Sequence, residues 1–422
     1  MKRPLIPKNR KASQAFIMVT IFLDVLGIGL IIPVLPALVG EFTTSPDEQA
    51  RWYGLLSAAY GVMQFFCTPM LGALSDRFGR RPVLLLSVFG LGCSFFVHAL
   101  ATSLTALFLI RILSGGTAAS FSVANAYMAD ITAPAERAKA FGKIGAAFGF
   151  GFIVGPMLGG LLGGYDLRLP FFVAGCMAVT NFLYGYFILP ESLAVENRAA
   201  FSLRKANPFS ALLNLGRLHA VGGLIAVYAL TVFAQFILQM TWVLYTTFRF
   251  GWGPTDNGFA LFFVGLVSVI VQGFLQGRLI KRLGEVKLVL IGMTSGMIAF
   301  ALYGLVTQAW LLYVIICANL LSFAVAPTLQ SIVSTEVGPN EQGITQGSLN
   351  AINSLAIIFT PLIGTYLLAE VGHLGQNDWR MGATFFLSAT LQFIALIIAV
   401  VHFRHVAQRA IQGNIQNAPP PA

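Results

Sequence analysis

Twelve long apolar runs, separated by short polar breaks, organise the chain. They lie at 14–39, 52–74, 83–101, 105–130, 140–164, 170–189, 218–247, 257–280, 286–306, 309–334, 342–369 and 380–403. A helix needs about 20 residues to cross a bilayer, so each run predicts a membrane helix. The strands of a membrane barrel would instead alternate apolar with polar positions, and these runs are continuous. The fold class expected is an all-α membrane protein with twelve transmembrane helices.

The runs fall into two sets related by a repeat. The segment Gly72–Leu86 between spans two and three returns, degraded, as Gly277–Gly284 between spans eight and nine. The offset is 205 residues (277 minus 72), and it also places Gly142 on Gly347, Pro134 on Pro339 and Pro156 on Pro361. The chain therefore reads as two fused copies of one unit, giving two pseudo-symmetric six-helix bundles. The domains expected are a first bundle at 1–190, a linker at 191–217, a second bundle at 218–404 and a disordered tail at 405–422. The linker carries mixed charge and suits two bundles that rock against one another. Duplicated apolar halves around a central site are a common plan for carriers.

Composition supports a lipid-facing surface. Charged residues make up 10% of the chain and apolar residues 57%, against roughly 25% charged in ordinary soluble domains. The net charge of +10 follows from topology. With the N-terminus inside, the outer face collects only Arg51, Arg168, Arg249 and Arg380, Arg111 lies within a span, and all other Lys and Arg fall inside. Both termini are thus expected in the cytoplasm, and nucleic acid is excluded as a partner. The first apolar run is too long for a signal peptide and has no small-residue cleavage site. Cys67, Cys93, Cys176 and Cys317 all lie in spans and are expected to be inert packing residues, with no disulfide and no metal site.

Gly72–Arg81 resembles the loop signature of the major facilitator superfamily. Span four adds Arg111-Ile-Leu-Ser-Gly115, similar to that superfamily's arginine motif. Gly151-Phe-Ile-Val-Gly155-Pro156-Met-Leu-Gly159-Gly160 in span five resembles the motif of its proton-driven exporters. Phe22-Leu-Asp24 through Pro36, and Trp242 through Trp252, resemble its tetracycline–proton antiporter branch. The resemblance covers the whole chain. It implies the major facilitator fold, alternating access and a monomer.

In the loop, Gly72 and Gly79 allow tight turns. The resemblance implies that Gly72, Asp76, Arg77, Gly79 and Arg80, with Asp130 of span four, form a cytoplasmic latch; helix capping and topogenic charge are the structural alternative. Gly151, Gly155 and Gly159 are small enough for two helix backbones to approach, and Pro156 bends the helix between them. They are expected to form a tight seam between the bundles on the outer side, or else to serve ordinary small-residue packing.

Asp24 is the only one of the sixteen acids expected deep in the hydrocarbon. An Asp at a helix centre costs about 2.5–3.5 kcal/mol on insertion scales. Protonation, a wet cavity or a cation removes that cost, and Arg111 is the only deep cation. The two read as a proton-coupling pair, with a structural charge pair as the alternative. His98, near the outer end of span three, reads as an interfacial histidine. Polar stripes at helical spacing trace a candidate substrate cavity: Gln235, Gln239 and Trp242 on span seven, Asn350 and Ser354 on span eleven, Tyr60 and Gln64 on span two. Asn125 on span four and Asn319 on span ten join them. Interhelical hydrogen bonding is the competing use for such groups.

The chain also departs from the tetracycline exporters. Their ionisable residues in spans three, eight and nine fall on Ser94, Ser268 and Gly296. That puts tetracycline itself in question and favours a neutral, amphipathic or cationic compound over a polyanion. The function expected is proton-coupled export of a small organic compound, with protons and the bilayer as partners. The proton gradient supplies the energy, with no cofactor and no metal. The alternatives are a symporter or uniporter importing a nutrient or metal-chelating metabolite, and a transporter-like sensor. An enzyme is not expected, because no nucleophile, base and oxyanion site cluster.

Overall fold

The structure is a computed structural model that describes residues 10–201, 207–209, 222–337 and 341–416. Among these residues it is helical throughout, with no strand. Eleven helices are long and apolar enough to cross a membrane, and a bent pair makes the twelfth. Spans one to six are Arg10–Ile31, Pro46–Phe78, Arg80–Ala99, Leu104–Ile131, Arg137–Tyr165 and Leu169–Ile188. Spans seven to nine are Gly222–Phe250, Pro254–Leu283 and Glu285–Leu305. Span ten joins Ala309–Ala318 to Leu320–Glu336 with a 55° bend. Span eleven is Gln342–Val371, and span twelve begins at Ala383.

The repeat is visible in where the helices start. Arg80 and Glu285, Leu104 and Ala309, Ser120 and Val325, Arg137 and Gln342 all begin helices, each pair separated by the same 205 residues. At the two loops Gly79 has φ 108° and Gly284 has φ 77°, a left-handed backbone that favours glycine. An even number of spans separates these two glycines, so the order of spans assigns both to one membrane side, the loop side, opposite the far side. Pro339, one member of the sequence repeat, lies outside the described residues.

The helices outrun the apolar stretches because hydropathy marks the lipid-facing length and not the helix ends. Span two starts at Pro46, with the Ser45 hydroxyl accepting from the Glu48 N–H (3.2 Å), while Glu48 Oε2 accepts from the Thr44 N–H (2.9 Å). That reciprocal cap, with proline in the first turn, starts the helix before the hydrocarbon begins. Span twelve likewise runs on to Gln416, past the expected end at 404. Its extension holds good helix formers, and the first proline beyond it is Pro419. Residues 417–422 of the expected tail lie outside the described residues.

Two expected spans are interrupted. Span one is not continuous over 14–39: its helix stops at Ile31 and restarts as Leu35–Gly40. Pro33 explains the stop, since it lacks an N–H and restricts the residue before it. Span four breaks at Ala118 and Ala119, where no proline signals it. Span eight carries a π-helical turn at Ile270–Leu275.

The chain forms two compact units. The first holds the chain as far as Phe209, together with Thr241–Leu266 and Ile357–Asn377. Its core packs Phe16, Ile17, Ile21, Leu84, Val88, Val123 and Tyr127. The second holds Ser210–Met240, Val267–Ala356 and the chain from Asp378, around a core that includes Leu224, Tyr228, Met293, Leu329 and Ile352. The far-side parts of spans seven, eight and eleven therefore belong with the first six spans.

Candidate functional site

Asp24 is the one buried carboxylate among the described residues, 7% exposed. It sits on span one opposite the break in span four. Ser120, the first residue of the helix after that break, stands within hydrogen-bonding reach. The carboxylate thus meets a helix N-terminus, whose free N–H groups and dipole favour negative charge. Its Oδ2 is buried without a hydrogen-bond partner. The broken span is what the sequence did not signal.

Arg111 forms no ion pair with Asp24 within 4 Å. Its guanidinium stacks over the Tyr60 ring, 5.5 Å from the centroid, and its Nε is buried without a partner. Tyr60 is within electrostatic reach of both Arg111 and Asp24. His98 differs from its expected interfacial place. It is buried at 2% exposure, stacks on Phe171 (centroids 5.6 Å apart) and has Nδ1 2.7 Å from the Ser94 carbonyl. A carbonyl cannot donate, so Nδ1 carries the proton. That leaves Nε2 as a buried acceptor with no partner, in electrostatic reach of Arg111. Span six covers one face of the ring through Phe171. Asp24, Tyr60, Arg111 and His98 come from spans one, two, four and three, all in the first unit.

The loop-side charges do assemble. Arg80 pairs with Asp76 and, at 3.2 Å, with Asp130, and its Nη1 donates to the Ser75 hydroxyl (2.7 Å). Arg77 does not join them; it is exposed and lies over the Phe78 ring (5.1 Å). Gly72 has open space around its Cα, so no close approach requires a glycine there. Glu191, which the sequence reading passed over, completes the cluster. Its oxygens accept from the N–H groups of Arg80 (2.8 Å) and Arg81 (3.2 Å), capping span three. Ser192 Oγ donates to Asp130 (3.1 Å), and the Ala199 N–H to the Asp76 carbonyl (3.0 Å). The first part of the expected linker is thus pinned to this cluster, and Phe209 packs on Phe65 and Phe66. Residues 202–206 and 210–217 of that linker lie outside the described residues. A glutamate directly after Pro190 at a helix end was the available signal.

The glycines of span five face a neighbour the sequence reading did not expect. A Cβ on Gly151 would fall 2.9 Å from the Phe22 carbonyl, and one on Gly155 would fall 2.8 Å from Gly29 Cα. Pro156 Cδ meets Gly29, and Gly159 meets Leu30. These residues recur every fourth position and so share one helix face, which packs on span one, not on the second copy. The adjoining face carries the seam to span eight: Gly160 lies against Gly258 Cα, and Thr255 Oγ1 donates to the Gly160 carbonyl (3.1 Å). Gly54 against Thr365 and Gly61 against Ile357 make the matching seam between spans two and eleven. Arg51 and Glu370 pair at its rim (2.8 Å).

The polar stripes divide. Gln235 and Asn350 are exposed, and Gln64, Gln239 and Ser354 are half-buried. Trp242 is packed away at 3% exposure. Asn125 donates to the Phe121 carbonyl of its own helix (2.8 Å). Asn319 lies in a crevice formed by spans nine, ten and twelve, accepting from Ser295 Oγ (3.0 Å). Arg249, expected at the outer face, is buried at 2% and lies over the Tyr245 ring (5.7 Å). Cys176 and Cys317 are exposed and do not pack inside.

Residues 17–361 match the family model of the Major Facilitator Superfamily. The chain is 37% identical over 380 residues to the class C tetracycline resistance protein of Escherichia coli, covering 89% of this chain and 96% of that one. Multidrug resistance protein 2 of Bacillus subtilis is 32% identical over 365 residues, covering 85% and 87%. The crystal structure of the human organic anion transporter TETRAN superposes with a TM-score of 0.67 at 26% identity, covering 92% of this chain and 99% of that one. The whole-chain match and the twelve spans agree: the chain belongs to the Major Facilitator Superfamily and is a multi-pass membrane transporter.

Proposed function

We propose that the chain is a proton-coupled exporter of a small amphipathic compound, with Asp24 as its proton carrier. The observation that carries this reading is the buried Asp24 carboxylate, which has one oxygen unpartnered. Such a group is stable in a membrane interior when it is neutral or when water or a cation reaches it. Alternating access supplies that change. Opened to one side, Asp24 meets water and takes a proton; opened to the other, it releases the proton and the compound binds. Arg111 acts on Asp24 by its charge, with Tyr60 holding the guanidinium by its ring and in electrostatic reach of both. The energy comes from the proton gradient, and no cofactor is invoked.

The loop side is assigned to the cytoplasm, with both termini, because Lys and Arg concentrate there. Two bundles, 1–190 and 218–404, move as bodies on the linker 191–217. The far-side seam closes through glycine contacts, and Arg80 between Asp76 and Asp130 serves as the loop-side latch within the first bundle. The compound meets Gln235, Gln239, Asn350 and Ser354 of the second unit, whose amides and hydroxyl remain accessible.

Relatives named for tetracycline and multidrug resistance make drugs of those kinds the first compounds to test. Ser94 keeps its hydroxyl on the Leu91 carbonyl (2.8 Å), and a Cβ at Gly296 would lie 3.0 Å from Ser322 Oγ. Neither position supplies a charge, so the reading favours uncharged or cationic amphiphiles over tetracycline. The experiment is a susceptibility and accumulation panel in a drug-sensitive bacterium. Lower accumulation of at least one amphiphile, abolished by a protonophore, is expected. Unchanged accumulation across the panel, or uptake that rises with expression, would contradict export.

A further inference from the structure

Spans nine, ten and twelve of the second unit enclose a crevice of about 590 Å³, within the range of small-molecule sites. One wall follows span nine from Leu290 to Leu302, about 18 Å at the helical rise of roughly 1.5 Å per residue. Ala318, Leu396 and Val400 close the other sides, and no lining side chain is charged. At its edge Ile291, Ile298 and Leu302 are 44%, 49% and 43% exposed. Span twelve continues that surface with exposed Ile394, Ile397 and Val401. On a membrane helix such a face meets hydrocarbon, so the crevice opens to the bilayer and not to water.

Its floor is polar. Span ten leaves α-helical geometry at Asn319, where the chain bends by 55°. Asn319 is 5% exposed, accepts from Ser295 Oγ at 3.0 Å and is hydrogen-bonded to the Tyr303 phenol, bonds that use at most one of the two N–H donors of its carboxamide. Thr294 Oγ1 donates to the Leu290 carbonyl (2.8 Å), which leaves its lone pairs as acceptors. A donor and an acceptor thus both line an otherwise aliphatic trough.

We propose that this crevice binds a neutral, chain-like amphiphile drawn from the bilayer, of the long-chain alcohol kind. Its hydrocarbon lies along span nine and its hydroxyl reaches Asn319 and Thr294. The length of the trough selects a chain over a compact ring, and the absence of any countercharge selects a neutral head. The polar floor selects a hydrogen-bonding head over a plain acyl chain. This site stands apart from the proton-coupling residues and does not depend on the direction of transport.

The test uses the full chain in phosphatidylcholine nanodiscs with a diazirine-bearing hexadecanol, followed by illumination and peptide mapping. Saturable labelling of the peptides containing 290–302 and 315–319 is expected, competed by unlabelled hexadecanol about fivefold better than by hexadecane, the worth of roughly one net hydrogen bond. Ala318→Phe should fill the trough and remove the saturable part, and Asn319→Leu should remove the preference for the alcohol. Labelling that rises linearly with probe, spreads evenly over all lipid-facing spans, or is competed equally by hexadecane would overturn the proposal. The competition on the unmodified protein decides the matter even if either variant fails to fold.

Discussion

The two copies share a frame and divide the chemistry. Four helix starts and two left-handed glycines repeat at the same offset, yet the interior of the first copy holds Asp24, Arg111 and His98. The equivalent positions of the second are Ala229, Ile316 and Tyr303. On the loop side, Arg80 binds two carboxylates; its counterpart Glu285 accepts only from Ser331 Oγ (3.1 Å). The counterpart of Asp76 is Lys281. What duplication preserved is helix placement, which apolar length and glycine turns enforce. Asp24, Arg111 and His98 have no ionisable counterpart but the Tyr303 phenol in the second copy, whose buried cation, Arg249, lies instead over the Tyr245 ring.

The far-side seams are the sharpest place to break this comparison. Gly160 packs on Gly258, and its counterpart Thr365 packs on Gly54. One seam accepts a side chain and the other does not. Gly160→Leu should abolish transport of the panel's best compound and lower the melting temperature, since overpacking costs about 1–3 kcal/mol. Thr365→Ser should leave both within twofold or a degree or two. Equal tolerance at the two seams would show that they do not close the far side.

A smaller effect is expected at the loops. Arg80→Ala leaves Asp76 and Asp130 facing each other without a cation and should slow transport at least tenfold, as hydrogen bonds to charged groups are worth about 1.5–3 kcal/mol. Glu285→Ala should change the rate less than twofold. Glu191→Gln should fall between them, since the amide oxygen still caps span three while the charge is lost. Initial rates in everted vesicles distinguish the three.

His98→Gln should lower stability and leave the dependence of transport on external pH in place, because the ring is buried, stacked on Phe171 and beside the like charge of Arg111. Tyr303→Phe, its counterpart in the second copy, should likewise affect only stability. A pH profile that shifts in His98→Gln would make His98 a second proton carrier. The smallest effect belongs to Gln235→Ala, expected to change the relative susceptibility to two panel compounds by a few-fold without changing the maximal rate.

Much of this was legible in the sequence. Membrane helices declare themselves by apolar length, and the repeat fixed which of them correspond. Asp24 stood out because a carboxylate there is costly. Helical periodicity put Gly151, Gly155 and Gly159 on one face, but it cannot say which neighbour that face meets, and the neighbour is span one. The break at Ala118–Ala119 that faces a helix end toward Asp24 involves ordinary residues, so only tertiary packing reveals it. Glu191 acts across 111 positions on the start of span three, a distance at which sequence spacing carries no geometry. Asn319 shared its residue type with the cavity amides, and at the bend in its own helix it is buried and bonded to Ser295.

The central claim is that one carboxylate couples transport to protons. Asp24→Asn keeps the size of the side chain and removes its titration. Purified parent and variant, reconstituted in proteoliposomes with an imposed pH gradient, give the direct comparison. The account predicts that the variant still binds and equilibrates the compound but no longer accumulates it against a gradient. Accumulation by Asp24→Asn equal to that of the parent would contradict it.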